Sequence, residues 1–212
     1  MVEIELKYAI PDRNTAENIL QAPCLTEIEE PGSRENLDFK AVYFDTDDML
    51  LAANGIAYRI RLEGLHPAAT LKFGGKCEGA LHTREEINVP LKSGACLTKP
   101  DPSVFKESSA GRLMLELIGE RSLSKVMEIS FQRRRIKVST GKSIIEISVD
   151  TGDIITASGS EPVCELELEL FSGDKDELIG LGEKIAGLYS LIPESRSKYA
   201  RGLVLNGSLK NN

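Results

Sequence analysis

Along most of this chain apolar and charged residues alternate with a period of two, the spacing of a strand whose successive side chains point to opposite faces. In Val2-Glu3-Ile4-Glu5-Leu6-Lys7-Tyr8, Glu3, Glu5 and Lys7 share one face, while Val2, Ile4, Leu6 and Tyr8 share the other. The run Cys164 to Leu170 does the same, with Glu165, Glu167 and Glu169 opposite leucines. Arg59 with Arg61, Arg84 with Glu86, Arg133 with Arg135, and Glu146 with Asp150 repeat the pattern. Bounded by Gly, Pro, Asn, Asp or Ser, these runs predict strands at about 2–9, 38–45, 56–63, 69–74, 82–89, 127–139, 143–150 and 162–171.

Helical spacing is rarer. Asp12 to Leu20 follows Pro11, Thr46 to Ala53 can be capped by Thr46 and closed by Asn54-Gly55, and Asp101-Pro102 opens another start. The strongest predicted helix begins with Asp174 and Glu177 as a capping pair and carries Leu178, Leu181, Ile185 and Leu188 through about Tyr189. The stretch from Leu91 to Ser124, with Arg112 to Ile118 as a helix, reads either as an insertion or as a helical cover over one side of the sheet. There is no Gly-, Ser- or Pro-rich linker and no fixed repeat, which predicts one domain over residues 1–204 with 205–212 as a frayed tail.

Two folds accommodate the charged faces. Turned to water, they make an ordinary antiparallel sheet. Like charges side by side are mutually destabilising, however, and the row Glu165, Glu167 and Glu169 calls for compensation. Other strands supply arginines and lysines in the same alternation. The expectation is therefore an α+β fold built on a closed eight-stranded antiparallel β-barrel, a tunnel with a polar charged interior and helices packed outside. Burying unpaired ions costs several kcal/mol apiece. A highly charged anion suits the arginines and lysines, hard cations such as Mg²⁺ or Mn²⁺ suit the carboxylates, and a linear triphosphate with such a metal satisfies both.

Composition narrows the field. A formal charge of -7 over 212 residues argues against broad salt-driven binding to nucleic acid or to an anionic membrane. No apolar run approaches the roughly 18 residues that span a bilayer, and the N-terminus is charged from its third residue, so no signal peptide is expected. Cys24, Cys77, Cys96 and Cys164 lie far apart and His66 and His82 are the only histidines, which argues against a usual zinc site. Reduced thiols in the cytoplasm are the expectation. The two histidines read as surface or strand-edge residues, Arg134 as a surface residue between inward neighbours, and Asp45-Thr46 as a strand end and helix cap.

Glu3-x-Glu5-x-Lys7 resembles the E-x-E-x-K signature of the triphosphate tunnel metalloenzymes, the CYTH superfamily. The resemblance continues through Tyr43-Phe44-Asp45-Thr46, Gly55 to Arg61, Thr70-Leu71-Lys72, Arg84-x-Glu86, Arg133-Arg134-Arg135, Glu146 to Gly152, Cys164 to Leu170 and Ser197-Lys198-Tyr199-Ala200-Arg201-Gly202. It is nearest to the bacterial inorganic triphosphatase branch, whose members carry a similar Glu-Leu-Glu-Leu-Glu-Leu strand and Ser-Lys-Tyr-x-Arg helix. The resemblance implies a tunnel that hydrolyses a triphosphate, foremost inorganic tripolyphosphate to pyrophosphate and phosphate. Carried over, Glu3, Glu5, Glu167 and Glu169, with Glu165 as a further candidate, would hold one Mg²⁺ or Mn²⁺. Glu86 and Asp150, with Glu146 as a further candidate, would hold a second metal beside the attacking water. Lys7, Arg59, Arg61, Lys72, Arg84, Arg133, Arg135, Lys198 and Arg201 would bind phosphate, and Glu86, Asp150, Lys7 and Lys198 are the expected catalytic residues.

The resemblance has departures and rivals. Ala9 stands where some relatives carry another lysine, and with the chain ending soon after Arg201 a fused helical polyphosphate-associated domain is not expected. Relatives with the same tunnel act as class IV adenylate cyclases or as thiamine, nucleoside or RNA triphosphatases, and a non-catalytic polyphosphate-binding module is a further alternative. The chain has no Trp and no evident aromatic, adenine-reading element, which tilts against a nucleotide. Keeping both carboxylate sets favours catalysis. The expected partner is a small-molecule triphosphate, with no nucleic acid and no membrane, and a homodimer is left open.

Overall fold

The computed structural model describes residues 2–208. Its framework is eight strands: β1 (Val2–Ala9), β2 (Glu35–Asp45), β3 (Ala57–Glu63), β4 (His66–Glu78), β5 (Leu81–Pro90), β6 (Ser124–Ser139), β7 (Ile144–Thr156) and β8 (Gly159–Ser172). Neighbours run β5-β4-β3-β2-β6-β7-β8-β1, and β1 pairs back onto β5 to close an antiparallel barrel. Closure leaves no long unpaired edge among these eight strands. A short β9 (Ile192–Pro193) joins β1 at Tyr8 and Ala9, past the point where β5 has left it.

The strands outrun the alternating pattern at several ends. β4 continues to Glu78 because Lys76, Cys77 and Glu78 resume pairing with β5 after an irregularity beyond Phe73, where Gly74 and Gly75 interrupt the alternation. β7 runs on to Thr156 because β6 and β8 both supply ladder partners there. Neighbouring strands, rather than local composition, set those limits.

Apolar strand faces point outward, as the alternation requires, and short helices cover them. One cluster lies outside β1 and β6–β8, with Leu6, Tyr8, Ile147, Val149, Leu166 and Leu168 all buried. It is covered by α1 (Arg13–Asn18), a 3₁₀ turn at Ile19–Gln21, α2 (Pro23–Thr26) and α5 (Lys175–Tyr189). Gly182 on α5 faces Leu6 and Tyr8 so closely that a side chain there would overlap the Leu6 methyl group. The outer face of β2–β5 is covered by α3 (Leu50–Ala53), a 3₁₀ turn at Pro102–Phe105 and α4 (Ser109–Ile118), with Phe105, Met114 and Ile118 buried against Tyr58, Ile60 and Leu71. The Leu91 to Ser124 stretch is thus a cover over the sheet rather than an insertion.

The caps follow the sequence with two differences. Asp12 accepts from the Thr15 amide at 2.8 Å and Asp174 accepts from the Asp176 amide at 2.9 Å. Glu177 does not complete a capping box, because the Asp174 amide donates to Ser143 Oγ at 2.7 Å and Glu177 faces Lys142 instead. Thr46 lies outside the helix assigned to it, since Met49 adopts a left-handed φ of 55° and helical structure starts only at Leu50. There Thr46 Oγ1 accepts from the Leu50 amide, while the Asp45 carboxylate accepts from Leu51 and Ala52, both at 2.8 Å.

A third apolar cluster occupies part of the barrel's inside. Phe39, Ala41, Tyr43, Met127, Ile129, Phe131, Ile154 and Val163 face inward, and Leu203 of α6 (Lys198–Leu205) is buried among them. The expected charged interior is present, and this apolar cluster shares the lumen with it. Leu205, assigned to the frayed tail, is the last helical residue of α6; residues 209–212 of that tail lie outside the described residues.

Close approach leaves no room for a side chain at Gly152. Gly152 on β7 stands opposite Phe131, and a Cβ added there would overlap the Ser130 carbonyl oxygen and the Phe131 backbone. Backbone cannot step aside as a side chain can, so overpacking at this point is costly. Gly152→Ala is expected to lose about 1–3 kcal/mol of stability, read as a lower urea midpoint with an unchanged slope.

Candidate active site

The inward positions of the eight strands line a cavity of about 300 Å³. Lys7, Arg59, Arg61, Lys72, Arg84, Arg133, Arg135 and Lys198 line it together with Glu3, Glu5, Glu63, Glu86, Glu146, Glu167 and Glu169. Register explains the convergence. Lys7 stands opposite Glu167 and Glu5 opposite Glu169 across β1 and β8, while Glu3 faces Arg84 and Lys72 faces Glu86 around β5.

Inside, the charges form a connected lattice. Lys7 Nζ donates to Glu5 at 3.0 Å and also to Glu167. Arg84 bridges Glu3 at 2.8 Å and Glu5 at 2.6 Å, and Lys72 bridges Glu3 at 2.9 Å and Glu86 at 2.5 Å. Glu167 also takes Arg133 at 2.6 Å and Lys198 at 2.8 Å. Burial penalises each charged form, yet the neighbours win. Lys198, Lys7 and Arg133 hold the Glu167 carboxyl well below its ordinary range, and Glu167 followed by Glu5 holds Lys7 above its own. Against the same burial, Lys72 and Arg59 lower Glu86 to about 2.

Glu169 is the exception. Burial first, and then the charges of Glu3 and Glu5, push its carboxyl up to about 7. Three carboxylates that repel one another on adjoining strands are the donor chemistry of a hard divalent cation. As they stand, no group of three or more His, Cys, Asp or Glu side chains among the described residues is arranged to hold an ion, because Lys72, Arg84 and Lys7 are drawn onto Glu3 and Glu5.

Three of the residues assigned from sequence lie away from the cavity lining. Asp150 is fully buried beneath it, gripped by Arg133 through two hydrogen bonds of 2.8 and 2.7 Å and by Lys198 at 2.9 Å. It sits on β7 and pairs with Arg133 of β6 and Lys198 of α6, whereas Glu86 sits on β5 and pairs with Lys72. Glu165 is 1% exposed and held by Lys198 at 2.7 Å and by Arg201. Arg201 in turn donates to Glu161 at 2.7 Å and to the Pro162 carbonyl at 2.6 Å, which anchors α6 to β8 rather than presenting a guanidinium to the cavity. Inward parity predicted a lumen position for Asp150 and Glu165, and the resemblance put Arg201 among the phosphate ligands. It could not say which side chains α6 would cover.

Other residues join the site without having been singled out. Glu63 and Asn88 continue the inward rows beyond Arg61 and Glu86, and Asn88 Nδ2 donates to Glu86 at 2.5 Å. Period-two extension would have found them. The aromatic residues Phe39, Tyr43, Phe131, Phe171 and Tyr199 also line the cavity, which corrects the expectation of no evident aromatic element. His82 is buried at 6% exposure, with its Nε2 2.9 Å from the Glu194 carbonyl oxygen, because β9 and the following loop cover that end of β5. Arg134 points outward as expected, but it donates to the Ala16 and Glu17 carbonyls and so docks the end of α1.

An antiparallel barrel closed around interlocked rows of carboxylates, arginines and lysines defines a tunnel protein with a charged lumen. The chain belongs to the CYTH domain family, which it matches over residues 1–203. It is 31% identical over 203 residues, 96% of its length, to the inorganic triphosphatase of Haemophilus influenzae, and spans 54% of that relative's length. Among solved structures it resembles a Hippeastrum chain described as an adenylyl cyclase candidate that reveals a dominant triphosphatase activity, with a TM-score of 0.63, 18% identity and coverage of 97% and 96% of the two chains. An adenylate cyclase candidate from Bacillus halodurans gives a TM-score of 0.57 at 18% identity, covering 94% of this chain and 97% of that one. At such identities these structures establish the shared fold. No helix among the described residues is long and apolar enough to cross a membrane.

The position of Glu169 has a measurable consequence. Its folded-state value of about 7 lies above the ordinary 4.5, so between those limits the folded protein binds more protons and stability falls as pH rises. Glu169→Gln removes that loss. In metal-free buffer the variant is expected to melt above the parent at about pH 8, with the gap closing toward pH 4.5, as followed by thermal melts across pH.

Proposed function

We propose that this protein is a divalent-metal-dependent triphosphatase that cleaves inorganic tripolyphosphate to pyrophosphate and phosphate. The observation that carries the reading is the single cavity in which eight basic side chains face a row of glutamates. Eight cations around about 300 Å³ match a compact polyanion, whose oxygens would compete with the lining glutamates for them. The similarity to an inorganic triphosphatase supports the choice of substrate, although the chain covers about half of that relative.

In this reading Lys7, Arg133 and Lys198, which meet at Glu167, receive one end of the phosphate chain. Arg59, Arg61, Lys72, Arg84 and Arg135 take the remaining non-bridging oxygens. Glu3, Glu5 and Glu169 would hold Mg²⁺ or Mn²⁺. A cation bound there would neutralise phosphate charge. Glu86, ionised at neutral pH, accepts a hydrogen bond from the attacking water and aims it rather than taking its proton outright. Asp150 and Glu165 act through Arg133, Lys198 and Arg201, whose positions they fix. Phosphoryl transfer needs positioning and charge neutralisation more than covalent help from the protein, and these residues are suited to both. The four cysteines are free thiols, which fits the cytoplasm as the working compartment.

The test is a phosphate-release panel with tripolyphosphate, ATP, thiamine triphosphate and pyrophosphate, each with Mg²⁺, Mn²⁺ or chelator. Orthophosphate is expected fastest from tripolyphosphate and only with metal. Glu5→Gln is expected to lower that rate by at least about 100-fold while leaving the circular dichroism spectrum intact. Cyclic AMP with pyrophosphate from ATP would replace the reading by a cyclase, and inactivity across the panel would overturn it.

A further inference from the structure

The cavity holds its cations in two different ways. Lys7, Lys72, Arg84, Arg133 and Lys198 are each tied to two or more carboxylates. Arg59 and Arg61 are held differently. Arg59 donates to the Tyr43 hydroxyl at 3.1 Å and faces the charge of Glu86, and Arg61 meets Glu63 at 3.3 Å. The Nε of each is buried with no hydrogen-bond partner. Two half-buried guanidinium groups whose Nε atoms find no hydrogen-bond acceptor gain from a further source of stabilisation.

Aromatic rings supply it. Phe39 on β2 and Phe131 on β6 are paired in register and stack with centroids 4.5 Å apart and planes 12° from parallel. Three guanidinium carbons lie over Phe39, those of Arg59 at 5.7 Å, Arg61 at 5.8 Å and Arg133 at 5.6 Å. Phe131 receives Arg133 at 5.5 Å and the Lys198 ammonium at 5.2 Å. Four phosphate-facing cations thus converge on one aromatic pair, buried to 3% and 7% exposure. Gly152 leaves Phe131 the room it occupies.

A ring face carries negative quadrupole charge but no hydrogen-bond acceptor that would saturate a guanidinium. A cation held by a carboxylate must break that bond to take a phosphate oxygen, whereas one held over a ring keeps its N–H groups available. We propose that Phe39, held in place by the Phe131 ring stacked on it, is a positioning platform that keeps Arg59 and Arg61 charged, ordered and unsaturated for the phosphate chain. The proposal rests on the triphosphatase reading for its ligand and on the ring geometry for its mechanism. Phe39 and Phe131 are positioning residues, since they act through the arginines.

The test replaces each phenylalanine in the full chain by leucine and, separately, by mono-, di- and trifluorinated phenylalanine, which withdraw charge from the ring face while keeping its shape. Titration calorimetry with tripolyphosphate and steady-state kinetics are read beside thermal melts. Phe39→Leu and Phe131→Leu are expected to raise KM and Kd about 5- to 30-fold, with kcat falling less. Affinity is expected to decline stepwise with each added fluorine at a constant melting temperature. Affinity that stays flat along the fluorine series overturns the platform even if the leucine variants unfold. The Nε–Hε resonances of Arg59 and Arg61 in the ligand-free protein give a second readout. They are expected to shift and broaden along the same series, and resonances that do not move overturn it as well. A parent protein that binds no tripolyphosphate counts against the function proposed above, and the ligand-free resonances then decide the platform by themselves.

Discussion

The structure depends on ion pairs that have been turned inward and interlocked. Glu167 alone is shared by Lys7, Arg133 and Lys198, and through them it is linked to Glu5, Asp150 and Glu165. Isolated buried charges would cost several kcal/mol each. A closed lattice in which each oxygen row meets a guanidinium or ammonium row removes most of that penalty. It also fixes barrel register, since a slip of one residue between β1 and β8 would put leucine opposite lysine and turn glutamates into the apolar layer outside.

Inverting the barrel moves the work of the hydrophobic core to the outside wall. Leu166 and Leu168 are buried as fully as any core residue, but their partners are α1, α2 and α5 rather than an opposite sheet. Burial of such side chains at about 25 cal/mol per Å² stabilises the fold while leaving the lumen available for charge. The helices are accordingly short and local. Each needs only to cover one stretch of strand.

Within the lumen the balance between attraction and repulsion is uneven, and the unevenness marks the chemistry. Glu86 is held strongly ionised by Lys72 and Arg59, whereas Glu169, facing Glu3 and Glu5, is not. Arg59 and Arg61 lie over an aromatic ring as well as near carboxylates. Charge that remains uncompensated by the protein is where a ligand of opposite charge gains most.

Alternation by itself determined much of the barrel: the eight strands, and the shared faces of Glu3, Glu5 and Lys7, of Arg59 and Arg61, of Arg84 and Glu86, and of Glu165, Glu167 and Glu169, could be read from a period of two, while the inward turn of those faces followed from their need for compensating charge. That works because side-chain direction in a strand is a local backbone property. Tertiary structure alone decided what lies over a given inward position. Asp150, Glu165 and Arg201 share the parity or helix face of site residues, but α6 and its ion pairs close over them, and no spacing in the chain records where α6 will lie. The aromatic platform escaped notice for the same reason: Phe39 and Phe131 are 92 residues apart and become a pair only when β2 and β6 zip in register. Local sequence dictates which way a side chain points, whereas its neighbours depend on long-range pairing and on the burial that selects it.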